Sequence, residues 1–326
     1  MKSGLLKLLT GLTIPQEYVC LGEELSNPLK VFLTNSQNHE YTEVTHCHLF
    51  IGYKPLIIAL VFPIDQFPSP NDTEICLSLT QKVTINTHWR GFNTDSESIS
   101  RLHMKKIMVQ KMGSLSVGIY EGLFGEHKFI PTLNQKINTL LTRLRRKSSG
   151  NITLDGNLYS QVRIAYGIAR KISLITVSDG SLLNLFPTDL HGPVGNYFYI
   201  SSLRIGGEAC NQVERSKKIT ISEIDVSYYQ TAYRLGKNHM RQLTRKAEFD
   251  LAMEHSKIFH HPLPKGVGFY RELELIDQVD VGIHRLLIYK VIHALKIKDI
   301  ISLTHIHQYY AQWRISKNLE TRFLLR

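Results

Sequence analysis

Residues 184–189, Asn-Leu-Phe-Pro-Thr-Asp, put an amide, an aromatic ring, a proline, a hydroxyl and a carboxylate within six positions. Asn184, Thr188 and Asp189 can supply side-chain hydrogen bonds, Pro187 fixes the local backbone and Phe186 offers an apolar face, a set suited to gripping a flat ligand with a polar edge. The residues alone leave a second reading open: a turn capped by Asn184 and Asp189, with Phe186 in the core. Two histidine pairs, His46/His48 around Cys47 and His305/His307 around Ile306, put imidazoles on one face of a strand. That is half of a metal site, but no third ligand follows at a standard spacing, and no metal is expected. His260-His261-Pro262 lies in a loop with Pro264 and Gly266. No G-x-S-x-G, H-E-x-x-H or Cys/His pairing speaks for hydrolysis, and neither of the glycine-rich nucleotide motifs of Rossmann and P-loop folds is present.

The chain has 326 residues, 43% of them apolar, which is enough for a real core and long for a single domain. Lys and Arg number 39 against 28 Asp and Glu, and the formal charge of +11 favours anionic partners. Most basic residues are scattered. The densest cluster, Arg143, Arg145, Arg146 and Lys147, reads as a solvated helix end rather than a nucleic-acid groove. The four cysteines, Cys20, Cys47, Cys76 and Cys210, are far apart with no C-x-x-C pair, so neither a disulfide scaffold nor a thiolate zinc site is suggested. The longest apolar run, Pro55 to Ile64, is well short of the ~20 residues that cross a bilayer. The amino terminus lacks a full apolar stretch with a cleavage site. These features predict a soluble cytoplasmic protein with neither nucleic acid nor membrane as partner.

Leu133, Ile137, Leu140, Leu141 and Leu144 recur at helical spacing and run into the polar Ser148-Ser149-Gly150-Asn151, which predicts a helix, a linker and a domain boundary. Upstream, HCHLFIGYKPLIIALVF and KKIMVQKMGSLSVGIYEGLF have strand composition. No residue there points to chemistry, and residues 1–147 are expected to form a smaller mixed α/β domain of unknown role. Downstream, ARKISLITVSD, GNYFYISSLR, KKITISEI, YRELELIDQVDVG and HRLLIYKVIHAL read as short strands around one helix near VSYYQTAYRLGKNHM. Such spacing predicts antiparallel sheet, with barrel closure a common way to hide edges, so the fold class expected is α+β with a mainly antiparallel β-barrel. No internal repeat of fixed period is visible.

The order of these segments is more specific than any one of them. A helix in LYSQVRIAYGIARK, the strand SLITVSDG, then NLFPTD, YFYISSLR, ACNQVERS, ITISEI and a late VGIHRLLIYKV resembles the flavin reductase-like family over roughly residues 155–300. The resemblance implies an FMN-binding split β-barrel in residues 152–326. It implies an NAD(P)H-dependent flavin reductase moving hydride from a nicotinamide to flavin N5, with FAD as the other possible flavin, and a homodimer that completes the flavin pocket. In that setting Asn184, Phe186, Pro187, Thr188 and Asp189 wrap the flavin edge. A phosphate dianion is met by Arg204, with Ser201, Ser202 and Asn211, at the opening of a short helix, as neighbours. His239 and Arg241 fall where the nicotinamide stacks, and His284 matches the histidine of the family's late strand. The chain departs from the pattern in two places: Ala209-Cys210-Asn211 stands where many members have Ser or Thr by the helix start, and VGIHR has Asp280 displaced. Two other function classes are open: a flavin- or haem-binding carrier or sensor without turnover, and a structural or interaction protein whose barrel has lost its ligand and whose basic surface serves an anionic partner.

Overall fold

The computed structural model describes residues 18–22, 24–35, 41–66, 73–81, 98–144, 154–319 and 324–325. The amino-terminal half holds strands β1 (Tyr18–Leu21), β2 (Lys30–Asn35), β3 (Tyr41–Glu43), β4 (His48–Gly52), β5 (Ile57–Pro63), β6 (Glu74–Thr80), β7 (Ser100–Met112) and β8 (Leu115–His127), then helix α1 (Thr132–Leu144). The leucine periodicity thus gives the predicted helix, while the serine-rich linker after it lies outside the described residues. Strands β2 to β8 make one antiparallel sheet in the order β3-β2-β6-β7-β8-β5-β4.

The carboxy-terminal half begins with α2 (Leu158–Ala165) and runs through β9 (Arg170–Lys171), β10 (Ser173–Asp179), β11 (Leu182–Thr188), β12 (His191–Val194), β13 (Phe198–Arg204), α3 (Glu208–Ser216) and β14 (Lys218–Ile224). There follow α4 (Tyr229–Leu235), a 3₁₀ turn over Gly236–Met240, β15 (Thr244–Arg245), β16 (Leu251–His255), β17 (Pro262–Pro264), β18 (Val267–Val281), β19 (His284–Lys296), β20 (Thr304–His307) and α5 (Gln308–Ser316). Every predicted strand of this half is present. Residues 184–188 differ from one expectation: they are not a turn but most of β11, which is paired along its length with β10 from Asp179↔Leu182 to Ser173↔Thr188, and Asp189 follows its end. The turn is instead Gly180-Ser181, where Gly180 takes φ +57°, a value that costs a Cβ-bearing residue energy. The order in this sheet is β12-β13-β19-β18-β14-β10-β11-β15, and its edge strands β12 and β15 are not laddered to each other, so the sheet is open rather than a closed barrel. It curls round α3, whose Ala209, Cys210 and Val213 share one core with Ile175, Phe186, Leu203, Leu273 and Leu287.

The halves are not beads on a string. Ile51, Ile57, Ala59, Met112, Val117 and Ile119 from one and Val194, Ile200, Val281, Leu286 and Ile288 from the other form a single buried cluster. Each of these aliphatic side chains contributes roughly 1.5–3 kcal/mol by its burial, and sharing one cluster ties the two halves together. A further sheet, with β20 between β1 and β9, crosses between them, and α5 delivers Tyr309, Tyr310 and Trp313 into the core of the amino-terminal half. Among the described residues no helix is long and apolar enough to cross a membrane.

Candidate functional site

At the end of strand β11 a cleft of about 200 Å³ opens, lined by Ile172, Pro187, Thr188, Asp189, Ala232, Tyr233, His239 and His305, all of the carboxy-terminal half. Four of the residues read from the sequence, Pro187, Thr188, Asp189 and His239, therefore share one wall-lined space. Asp189 is its electrostatic centre. Its Oδ2 accepts a hydrogen bond from Tyr166 Oη at 2.5 Å and one from His305 Nε2 at 2.9 Å. Burial alone would raise the Asp189 carboxyl, but these hydrogen bonds, with the His305 imidazole beside it, outweigh burial and hold it down to about 2. No hydrogen bond from the described residues reaches Oδ1, which leaves an ionised acceptor for a ligand. The same interaction fixes the imidazole: Nε2 carries the proton given to the carboxylate, Nδ1 lies 3.5 Å from Tyr233 Oη, and Cys20 Sγ lies 3.4 Å from that hydroxyl. Tyr18 stacks on the His305 ring at 5.1 Å.

His239 is held by donation from Nε2 to the Pro187 carbonyl at 2.7 Å and by its ring contact with Phe186 at 5.0 Å. Burial lowers its pKa, against the opposing pull of Pro187 and Asp189, so it stays a neutral donor at neutral pH. The turn that carries it is braced from below. Asn184 Nδ2 donates to Gln212 Oε1 at 2.8 Å and to the Asn238 carbonyl at 3.0 Å, Gln212 Nε2 donates to the Arg241 carbonyl at 2.7 Å, and Asn238 Nδ2 donates to the Leu185 carbonyl at 2.9 Å. Asn184 and Phe186 are themselves fully buried at 0% exposure, on the face of β11 that meets α3. They position the cleft rather than line it, and the core reading of Phe186 is the one the fold adopts. Ser201 is likewise interior, 3.0 Å from Tyr289 Oη.

A second group adjoins Asp189. Ser202 Oγ lies 3.1 Å from His284 Nδ1, while His284 Nε2 is buried with no hydrogen-bond partner. Burial lowers the His284 pKa to about 4, opposed by Asp189 and assisted by Arg204. Against this ring, at 4.7 Å and 68°, stands Tyr53 from the turn between β4 and β5. The Tyr53 hydroxyl is pushed up by burial and by Asp189 and pulled back by Arg204. Asp189, Arg204, His284 and Tyr53 thus form one mutually sensing set. Arg204 ends β13 directly opposite His284 and is exposed. Among the described residues it has no ion-pair partner, whereas Arg271 is tied to Glu223 at 3.2 Å and Arg285 to Asp280 at 2.5 Å.

Two expected residues lie elsewhere. Arg241 forms an ion pair with Glu248 at another cleft of about 210 Å³. Lys265 and Asp250, also on that cleft's lining, pair at 3.6 Å, while Arg234 and Lys237 line it as well. Asn211 does not open a helix: α3 starts at Glu208, the Asn211 amide is already bonded to the Gly207 carbonyl, and Glu208 supplies negative charge to the first turn. Sequence reasoning missed Tyr53, Tyr166 and Tyr233 altogether, and, having set aside a metal at the His305/His307 pair, gave His305 no role. His305 instead serves Asp189, and His307 Nδ1 accepts the Tyr309 amide at 3.1 Å.

No protein-family model matches the sequence, and a search of curated proteins gives no match. Solved structures do match. BorF, the flavin reductase component of a bacterial two-component tryptophan halogenase, is 15% identical, with 45% of this chain and 91% of that one covered at a TM-score of 0.40. An FMN-binding protein from Thermus thermophilus is 14% identical, covering 50% and 95% at 0.39. The NADH:FAD oxidoreductase of Streptomyces globisporus C-1027 is 11% identical, covering 46% and 89% at 0.38. Over about half its length the chain is similar to flavin reductase and FMN-binding split-barrel structures.

Proposed function

We propose that this chain is a flavin-dependent oxidoreductase, with the cleft beside Asp189 taking the ring of FMN and NADH or NADPH as hydride donor. One coincidence carries the reading: the segment that the sequence resemblance assigns to the flavin edge, Pro187-Thr188-Asp189, is part of the wall of a cleft. At about 200 Å³ the cleft is the size of a ring system, smaller than the ~300–1,000 Å³ of pockets that swallow whole ligands. A ribityl phosphate would therefore stay outside, and Arg204, an exposed cation with no ion-pair partner among the described residues, is the group we assign to it. The donor set also suits such a ring. Asp189 Oδ1 can accept from an imide N–H, and Ile172, Pro187 and Ala232 are apolar; beside Asp189 rather than on the cleft lining, the buried His284 Nε2 is a polar atom without a partner among the described residues.

Bound flavin would supply the electron chemistry, accepting at N5 the hydride that leaves nicotinamide C4. The chain's own part is orientation and charge. Asp189 orients the polar edge, His239 holds the Pro187 carbonyl and so the cleft wall, and His284 adds a neutral polar group. Tyr233 brings a hydroxyl, backed by His305, to the cleft for proton exchange. The test is Arg204→Ala with two ligands. Loss of a charged hydrogen bond costs ~1.5–3 kcal/mol, so FMN should bind about 10–150-fold more weakly while riboflavin, which lacks the phosphate, is unaffected. Equal loss for both would remove Arg204 from that role, and no binding of either by the parent protein would end the flavin reading.

A further inference from the structure

The two sheets repeat each other. Reading β3-β2-β6-β7-β8-β5-β4 beside β11-β10-β14-β18-β19-β13-β12 matches strand for strand, with only β15 added at an edge. The match extends below topology. The long hairpin β7–β8 closes from Met112 to Leu115 round Gly113 at φ +62°, and β18–β19 closes from Val281 to His284 round Gly282 at φ +60°. Each hairpin carries two β-bulges at corresponding places. Ile107 and Ile276 are the extra residues five before Met112 and Val281, and Leu123 and Ile292 are the extra residues eight after Leu115 and His284. Bulges are retained within families and break a ladder at specific points, so two coincident pairs mark one ancestral hairpin used twice.

The packing of the copies is reciprocal. A Cβ on Gly282 would lie 2.5 Å from Pro55 Cδ and 2.7 Å from the Lys54 carbonyl, so the β18–β19 turn sits against the β4–β5 turn. A Cβ on Gly195 would lie 2.7 Å from Leu115 Cδ1, and one on Gly113 would lie 3.5 Å from the Phe198 ring, so the β7–β8 turn sits against the β12–β13 turn. Surface i meets j and j meets i, the signature of a two-fold contact. The two seams so created differ in chemistry. At one stand Asp189, Arg204, His284 and Tyr53. At the other, Val44 follows β3 where Asp189 follows β11, Pro63 pairs with Leu115 where Arg204 pairs with His284, and Tyr197 occupies the turn equivalent to that of Tyr53.

We infer that the chain is a fused pair of equivalent halves in which the amino-terminal half acts as a built-in partner subunit. It completes a single binding site by supplying Tyr53, so that the protein works as a monomer with one site per chain. The identity of the ligand rests on the flavin reading above; the fused-pair organisation does not. Tyr53 is a binding residue in this scheme: its ring covers His284, and its hydroxyl has no partner among the described residues.

Light scattering and FMN fluorescence quenching test this together. The expected mass is that of one 37.4 kDa chain, with one FMN bound per chain. Tyr53→Ala should weaken FMN about 3–10-fold, the worth of one aromatic contact, and Tyr53→Leu, which keeps apolar bulk in the turn, should do the same. Tyr197→Ala, at the exposed equivalent turn, should leave binding unchanged. A two-chain mass at micromolar concentration, two FMN per chain, or equal weakening by Tyr53→Ala and Tyr197→Ala would overturn the inference. If the parent protein does not quench FMN, the flavin reading falls, and mass with the NMR titration of His284 decides the fused pair. There Tyr53→Ala should raise the His284 pKa from about 4 towards the ordinary 6.5, and an unmoved value would refute the covering role of Tyr53.

Discussion

Replacing Asp189 with asparagine keeps the shape of the cleft and removes its central charge. In the folded chain the Asp189 carboxyl is held down to about 2 from its ordinary 3.8, with hydrogen bonds from His305 and Tyr166 overcoming the opposing effect of burial. Because the folded value lies below the unfolded one, ionisation stabilises the fold above the unfolded pKa, and that contribution is lost as pH falls through the folded value. At 1.36 kcal/mol per unit the full contribution is about 2.4 kcal/mol at pH 7, shrinking to about 1.3 kcal/mol by pH 3. The side chain keeps 21% exposure, so these are ceilings. Urea unfolding of Asp189→Asn against the parent at both pH values should show a deficit of about 1–2.4 kcal/mol at pH 7 that narrows on acidification. A deficit under about 0.5 kcal/mol, or one that is the same at both pH values, would show that the His305 and Tyr166 bonds do not hold the carboxylate as described.

Gly282→Ala forces a Cβ at positive φ against the Lys54 carbonyl, so it should destabilise the chain by at least ~1–3 kcal/mol and loosen the seam, read as faster hydrogen exchange in β4–β5 with little change in α1. Glu272 is fully buried and accepts the Ile258 amide at 3.0 Å and that of Phe259. Glu272→Ala should cost ~2–4 kcal/mol and expose the 256–261 loop to proteolysis, and resistance like that of the parent would contradict the assignment. Asn184→Leu removes the brace under His239, so it should cost ~1–3 kcal/mol and weaken FMN without touching any ligand atom. Unchanged FMN affinity in a destabilised variant would separate the brace from the site.

Local pattern made the strands and α1 legible, because alternation, β-branched runs and leucine spacing are properties of contiguous residues. The internal repeat was not legible for the opposite reason. Sheet order and bulge position are preserved by the pattern of exposed and buried sites, whereas the residues filling it have diverged, as Leu115 against His284 shows. Strand β11 is buried on both faces, with Asn184 and Phe186 towards α3 and Leu183 and Leu185 towards α4. No buried–exposed alternation told strand from turn, or core ring from ligand platform. Asp189 could be picked out by type, but its partner His305 is 116 residues away, and Tyr53 belongs to the half in which no chemistry was visible. Pairings across such distances are set by topology, which a linear reading lacks.

The most direct test of the central claim is the visible absorbance spectrum of the purified chain with FMN added and then NADH, without oxygen. A flavin band that is perturbed on mixing and bleached by NADH, faster than free FMN is reduced, is the predicted result. A spectrum identical to that of free FMN before and after NADH would contradict it, and a perturbed band that NADH leaves intact would reduce the protein to a flavin carrier.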